Sequence, residues 1–249
     1  GIYKFEDNSL GENVLDIRNQ ALEFAKKKLS PHAMDWERDA YFPVEAMREA
    51  AEMGFSAIYC QSGTGLSRLE ASIIFEALAT GCVPTSAYLS IHNMCTWIID
   101  EFGNQDQKDK YLPGLISMED FSSYCLTEPD SGSDSRAMKT FAKKEGDEYV
   151  LNGSKMFISG GSFSSLYIVM AKTSPTDVST FVVPGDVKGI EYGKKEDKMG
   201  WTIQPTALVS FDNVRIPAAN LIGKEGDGFK IAMKGLDGGR INIASCSLG

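Results

Sequence analysis

Two short stretches concentrate the residue types that could hold a flat ligand with a polar rim. Tyr124 to Asp134 reads YCLTEPDSGSD: a brief apolar strand, Tyr124, Cys125 and Leu126, running into a loop with Thr127, Ser131, Gly132 and Ser133. The hydroxyls can donate to or accept from a ligand edge, and Gly132 lets main-chain amides come close. About one hairpin later, Leu151 to Gly161 reads LNGSKMFISGG. Phe157 and Ser159 stand two positions apart, either side of Ile158, which in a strand puts the ring and the hydroxyl on one face. Taken alone, the Gly, Pro, Asp and Ser content of the first stretch is that of a solvated turn. Followed by this second strand, it reads as one rim of a cofactor site.

Composition bounds the rest. The 249 residues are 43% apolar, enough for one large core or two smaller ones. Formal charge is 25 minus 34, or −9, and the lysines are scattered, so a nucleic-acid role is not expected. Cys60, Cys82, Cys95, Cys125 and Cys246 lie far apart with no CxxC, which argues for a reducing compartment and against a disulfide frame or a metal site. No apolar run approaches membrane-spanning length, and the N-terminus shows no secretory pattern. The chain begins at Gly1 rather than Met, as it would if a leader had been removed or omitted. His32 and His92 are isolated and read as surface or core rather than catalytic. Gly223 to Phe229, GKEGDGF, lacks the Lys-Ser or Lys-Thr that closes a phosphate loop and reads as a turn before a helix.

The elements that must position these stretches change character near residue 118. Before it the period is helical: Val14, Ile17, Ala21, Phe24 and Ala25 recur at three- and four-residue spacing. Pro43 opens a second helix ended by Gly54, and Leu66–Ala79 and Ser86–Phe102 are apolar enough to lie inside a bundle. From Ser122 to about Ile222 the period becomes two, with strands expected at Leu166–Met170, Thr180–Val183 and Ala207–Phe211. Asn152-Gly153 supplies a hairpin signal. Helical periodicity returns from Phe229. The expected class is α+β: a helical bundle over 1–118, a small antiparallel β-barrel or sandwich over 119–224, and the first helix of a further helical domain over 225–249.

With these residues in view, the chain resembles the acyl-CoA dehydrogenases. The likeness runs through SPHAMDWERDAYFP (30–43), the TEPDSGSD loop, and KMGWTIQPTALVSFDNVRIPAANLIGKEGDGF (198–229). Stretches 66–82, 87–104 and 238–249 are similar to members acting on short branched acyl-CoA thioesters. The resemblance implies an FAD-dependent α,β-desaturation, with electrons passed to electron-transferring flavoprotein, in a homotetramer of the mitochondrial matrix. It implies flavin contacts from Tyr124, Cys125, Leu126, Thr127, Gly132, Ser133, Phe157, Ile158 and Ser159. Phe157 and Ser159 stand where the family usually has Trp and Thr. It implies acyl-CoA contacts from Ser133, Asp237, Gly238, Gly239 and Arg240, and an acyl cavity closed partly by the helix carrying Trp97, whose bulk would favour short acyl groups.

The chain also departs from the family pattern. The family's catalytic glutamate lies either far downstream or at the position of Gly239, so no base is expected in this chain, and Asp237 is a weak substitute. The loop Tyr59–Gly65, YCQSGTG, is shorter than its family counterpart. By propensity Asp237-Gly238-Gly239 would break a helix, whereas the resemblance implies that the helix continues. A non-catalytic scaffold that keeps acyl-CoA affinity, and an acyl-CoA oxidase, are the alternative readings.

Overall fold

A computed structural model describes residues 12–249, so the first eleven residues of the expected helical bundle lie outside it. Helices α1 (Glu12–Phe24), α2 (Ala33–Asp39), α3 (Val44–Glu52), α4 (Arg68–Ala79), α5 (Val83–Phe102) and α6 (Gln105–Ser117) come first. Strands β1 (Ser122–Cys125), β2 (Phe141–Glu145), β3 (Glu148–Ser159), β4 (Leu166–Lys172), β5 (Val178–Pro184), β6 (Ile190–Tyr192), β7 (Thr206–Pro217) and β8 (Leu221–Ile222) follow, and α7 (Gly228–Leu248) closes the described chain.

Local chemistry fixes the helix starts. Ser67 accepts from the Glu70 amide while the Glu70 carboxylate accepts from the Ser67 amide, a reciprocal cap that begins α4. Asn104 and Gln107 do the same for α6. Gln107 also donates to the carbonyls of Ala219 and Leu221, at 2.7 and 2.8 Å, tying α6 to the end of the sheet. Two helices were not foreseen. α2 has no buried residue to impose a period, and α6 combines a polar first half with an internal Pro113.

The α+β class holds, with a different sheet from the one expected. The eight strands form one sheet in the order β6-β7-β3-β2-β4-β5-β8, with β1 beside β4; the path is not closed into a barrel. It is also mixed, since β1 and β2 both pair β4 in parallel. Burial of both faces explains the uninterrupted apolar runs of β4 and β5. Leu166, Ile168 and Met170 pack with Ile98, Leu112, Ile231 and their neighbours on α5, α6 and α7. Tyr167, Val169 and Ala171 pack with Tyr149, Phe181, Val209 and Ile216 across the sheet's inner face. A third cluster joins the N-terminal helices around Phe75, Leu78 and Tyr88.

The hairpin expected at Asn152-Gly153 is a correction. Both residues lie inside β3, and the β2–β3 turn is at Gly146-Asp147. Gly153 marks a register shift against β7, has φ +142°, and would bring a Cβ within 2.6 Å of Thr140 Cα. The glycine therefore serves a bulge and a close backbone approach rather than a turn.

His92 joins the helices to the sheet. Its Nε2 lies 2.8 Å from the Leu115 carbonyl and must donate; its Nδ1 lies 3.0 Å from Ser122 Oγ and accepts from that residue. Burial drives its pKa from 6.5 down to about 4. The unfolded chain therefore binds the proton first on acidification, and the neutral ring's contribution is full above pH 6.5 and lost as pH falls towards 4. A shift of this size corresponds to about 3 kcal/mol. Thermal unfolding midpoints of the unaltered chain should drop across this window, and His92→Gln, which keeps one donor and one acceptor, should flatten the slope there. An equal slope in both proteins would remove His92 as its cause.

Candidate functional site

Tyr124 faces the helices, because β1 runs parallel to β4 with Tyr124 opposite Ile168. Its hydroxyl donates to the Ala232 carbonyl of α7 at 3.2 Å, and burial raises the phenol's pKa. Cys125, opposite Val169, points to the inner face of the sheet and is fully buried there. Alternation thus sends Tyr124 and Leu126 towards α5 and α7 and turns the Cys125 thiol away from them.

β3 does not reach the same place by simple alternation. Between Lys155 and Ile158 its register against β7 slips, three steps on β3 matching two on β7. Phe157 takes up the slip with φ +58°, a conformation unusual for an aromatic residue, and stands 59% exposed. The bulge separates two side chains that a regular strand would place on one face: Lys155 is driven inward and Phe157 outward. The Met156 amide donates to the Thr127 carbonyl at 2.8 Å, tying the bulge to the loop after β1.

The inward lysine organises that loop. Lys155 Nζ donates to the Leu126 carbonyl at 3.1 Å and to Glu128 Oε1 at 2.8 Å, gripping the chain on both sides of Thr127. The Glu128 carboxylate also accepts from the amides of Lys139 and Thr140, at 2.6 and 3.0 Å. Both ion-pair partners are buried, with side-chain exposures of 0% and 4%. Burial draws Lys155 below the usual ammonium range. In Glu128 burial acts upward, but the Lys155 charge and the amide hydrogen bonds outweigh it and hold the carboxyl below its ordinary value. Sequence reading passed over this pair, since a lysine in a strand ordinarily marks the solvent face. The only signal was its place two residues before Phe157.

These elements border a cavity of about 590 Å³ between the sheet and the α5–α7 pair. Tyr124, Leu126, Thr127, Gly132, Ser133, Phe157, Ile158 and Ser159 line it from the sheet side, and Gly239 and Arg240 from α7. Cys125, Asp237 and Gly238 do not. Asp237 is directed at Arg240, 3.7 Å away on the exposed helix surface. Gly238 lies against Arg68. α7 runs unbroken through Asp237-Gly238-Gly239, as the family resemblance implied and propensity did not. Trp97 is absent from the lining, and Ser90, Ile91 and Met94 represent α5 instead; Trp97 sits one turn further on, against Phe102 and Arg68. No acidic or histidine side chain is among the residues lining this cavity.

Residues 12–119 match the family model for the acyl-CoA dehydrogenase N-terminal domain, and residues 123–214 that for the acyl-CoA dehydrogenase middle domain. The mitochondrial isobutyryl-CoA dehydrogenase of Bos taurus is 51% identical over all of this chain and 62% of its own length. The corresponding protein of Dictyostelium discoideum is 53% identical, over 96% of this chain and 59% of its own. Among solved structures, butyryl-CoA dehydrogenase from Megasphaera elsdenii superposes with a TM-score of 0.90 at 34% identity, covering 95% of this chain and 65% of that one. The FAD complex of PigA gives 0.92 at 28% identity, over 95% and 64%. The chain thus spans about three fifths of the length of the curated relatives it matches.

Lys155→Met leaves the Glu128 carboxylate buried without its cation and is expected to destabilise the chain by about 3–5 kcal/mol. Adding Glu128→Gln should restore part of that loss, read by denaturant unfolding. A double variant less stable than the single one would show that the pair does not act as described.

Proposed function

The chain belongs to the acyl-CoA dehydrogenase family, and from that premise we propose that it forms the flavin-facing part of an FAD-dependent oxidoreductase. Its reaction is the α,β-desaturation of a short branched acyl-CoA, isobutyryl-CoA to methacrylyl-CoA, in valine breakdown. Identities of 51% and 53% to two isobutyryl-CoA dehydrogenases support the substrate. Their mitochondrial designation supports a mitochondrial location; placement in the matrix follows the family resemblance alone. Transfer of electrons to electron-transferring flavoprotein and assembly into a homotetramer follow the family resemblance. So does a division into a helical domain (1–118), a β domain (119–224) and the opening helix of a third (225–249).

One observation carries the reading: Phe157, held out of β3 by a positive-φ bulge, lines the same cavity as the hydroxyl-bearing Thr127 and Ser159. An exposed ring on a strained backbone, rimmed by hydroxyls, fits the flat and polar-edged isoalloxazine of FAD. Gly132 adds to the fit, because the space a Cβ would take there is open, with no atom within 4 Å.

When bound, FAD would supply the acceptor for the hydride of the β carbon. The protein's own groups orient the partners. Phe157 would offer its ring to one face of the flavin and keep water from it. Thr127 and Ser159 would offer hydrogen bonds at the rim, and Ser133, in the same loop as Thr127, would offer one to flavin or thioester. Arg240 presents a cation from α7 for the CoA portion. Removal of the α proton needs a base, and no carboxylate is among the cavity's lining residues. Asp237 is turned to Arg240, so the base is assigned to a glutamate outside the described residues, as the family resemblance implies.

In the full-length protein, anaerobic titration with isobutyryl-CoA should bleach the yellow flavin absorbance, and Phe157→Ala should weaken FAD binding about ten-fold. A colourless protein that takes up no added FAD would refute the flavin reading. Peroxide release under air would instead place the protein among acyl-CoA oxidases.

A further inference from the structure

Behind the α5 wall of the cavity, α4, α5 and α7 enclose a group of polar side chains that the reaction does not use. The Arg68 guanidinium carbon lies 3.6 Å from the centre of the Tyr59 ring and 4.7 Å from that of Trp97. Two aromatic faces hold the cation in place. It occupies the notch that Gly238 leaves in α7, where any Cβ would overlap the guanidinium. Four buried polar atoms here have no hydrogen-bond partner among the described residues: Arg68 Nη1, the Tyr59 hydroxyl, and both Asn242 side-chain atoms. Asn242 is 1% exposed and Tyr59 5%. Arg68 forms no ion pair with an acidic side chain among the described residues.

The cluster adjoins the cavity. Met94 lines the cavity and packs against Gly235 and Gly239, while Trp97, one turn further along α5, stacks on Arg68. On α7 the cavity-lining Gly239 and Ile243 are each one residue past Gly238 and Asn242.

Resting on the acyl-CoA reading above, we propose that Arg68 and Asn242 form a polar stop behind Met94, and that this stop restricts the site to short acyl groups. A short acyl group ends at the Met94 side chain and leaves the polar atoms undisturbed. A longer chain must displace Met94 and press methylenes against a guanidinium, a carboxamide and a phenol. Methylenes offer these unpartnered atoms no hydrogen bond, so the cost of displacing Met94 is offset by less apolar contact than an apolar wall would give. Gly238 has its place in the middle of a helix because only a residue without a Cβ admits the guanidinium.

The test measures binding of unreactive thioether analogues, isobutyl-CoA, hexyl-CoA and octyl-CoA, to the flavin-loaded full-length protein by calorimetry. The unaltered protein should prefer isobutyl-CoA to octyl-CoA. Arg68→Leu should shrink that preference about ten-fold, with affinity for isobutyl-CoA little changed, whereas Arg68→Lys, which keeps the charge, should retain it. If Arg68→Leu does not fold, Asn242→Leu should shift the preference in the same direction. A preference unchanged in whichever leucine variant folds, or equal affinity for all three thioethers in the unaltered protein, overturns the stop and leaves the acyl-CoA reading standing. Failure of the unaltered protein to bind any thioether would instead overturn the acyl-CoA reading itself.

Discussion

The contact on which the cavity depends is the ion pair of Lys155 and Glu128. Removed from water, two opposite charges persist only if their remaining hydrogen-bonding capacity is met, and here carbonyl and amide groups of the loop meet it. That requirement shapes the backbone. Lys155 must point inward, Phe157 must then point outward, and a strand of strict period two cannot do both, so β3 bulges between them. The same ammonium clasps residues 126 and 128, fixing Thr127 opposite the bulge. One buried charge pair thus sets the spacing between hydroxyl and ring.

Around it, the fold divides its apolar residues into three groups with different tasks. One joins the N-terminal helices, one glues helices to sheet, and one fills the sheet's inner face. The middle group borders the cavity through Met94, Leu126, Met233 and Leu236. Helix α7 is attached from both sides: Tyr124 reaches its Ala232 carbonyl, and Ser72 on α4 pairs with Ser245 at 2.6 Å. The cavity wall carrying Gly239 and Arg240 is thereby held to the sheet and to the N-terminal helices alike.

Much of this was legible in the residues. Apolar periodicity located α1, α3, α4 and α5, and the apolar runs located β4, β5 and β7, because burial on one or both faces leaves a direct mark on composition. What failed were local rules overridden by contacts distant in sequence. Asn152-Gly153 has turn chemistry but lies within a strand, where Thr140 on the neighbouring chain segment demands a bare Cα. Gly238 and Gly239 have breaker chemistry but sit in a continuous helix whose neighbours, Arg68 and Met94, crowd its axis. The candidate site was readable as residue types, and ten of its expected members line one cavity. The separation of Cys125 from that cavity followed from strand alternation. The exclusion of Asp237 and the inward turn of Lys155 did not, since both depend on partners that only the fold brings near.

The order of the strands has a bearing on how copies of the chain can meet. The path across the sheet ends on β6 and β8, which are three and two residues long. Outer strands so brief present few unpaired main-chain groups, and a ladder of two or three rungs is too short a template for an incoming extended segment. An extended segment arriving at β6 or β8 therefore meets only a short template.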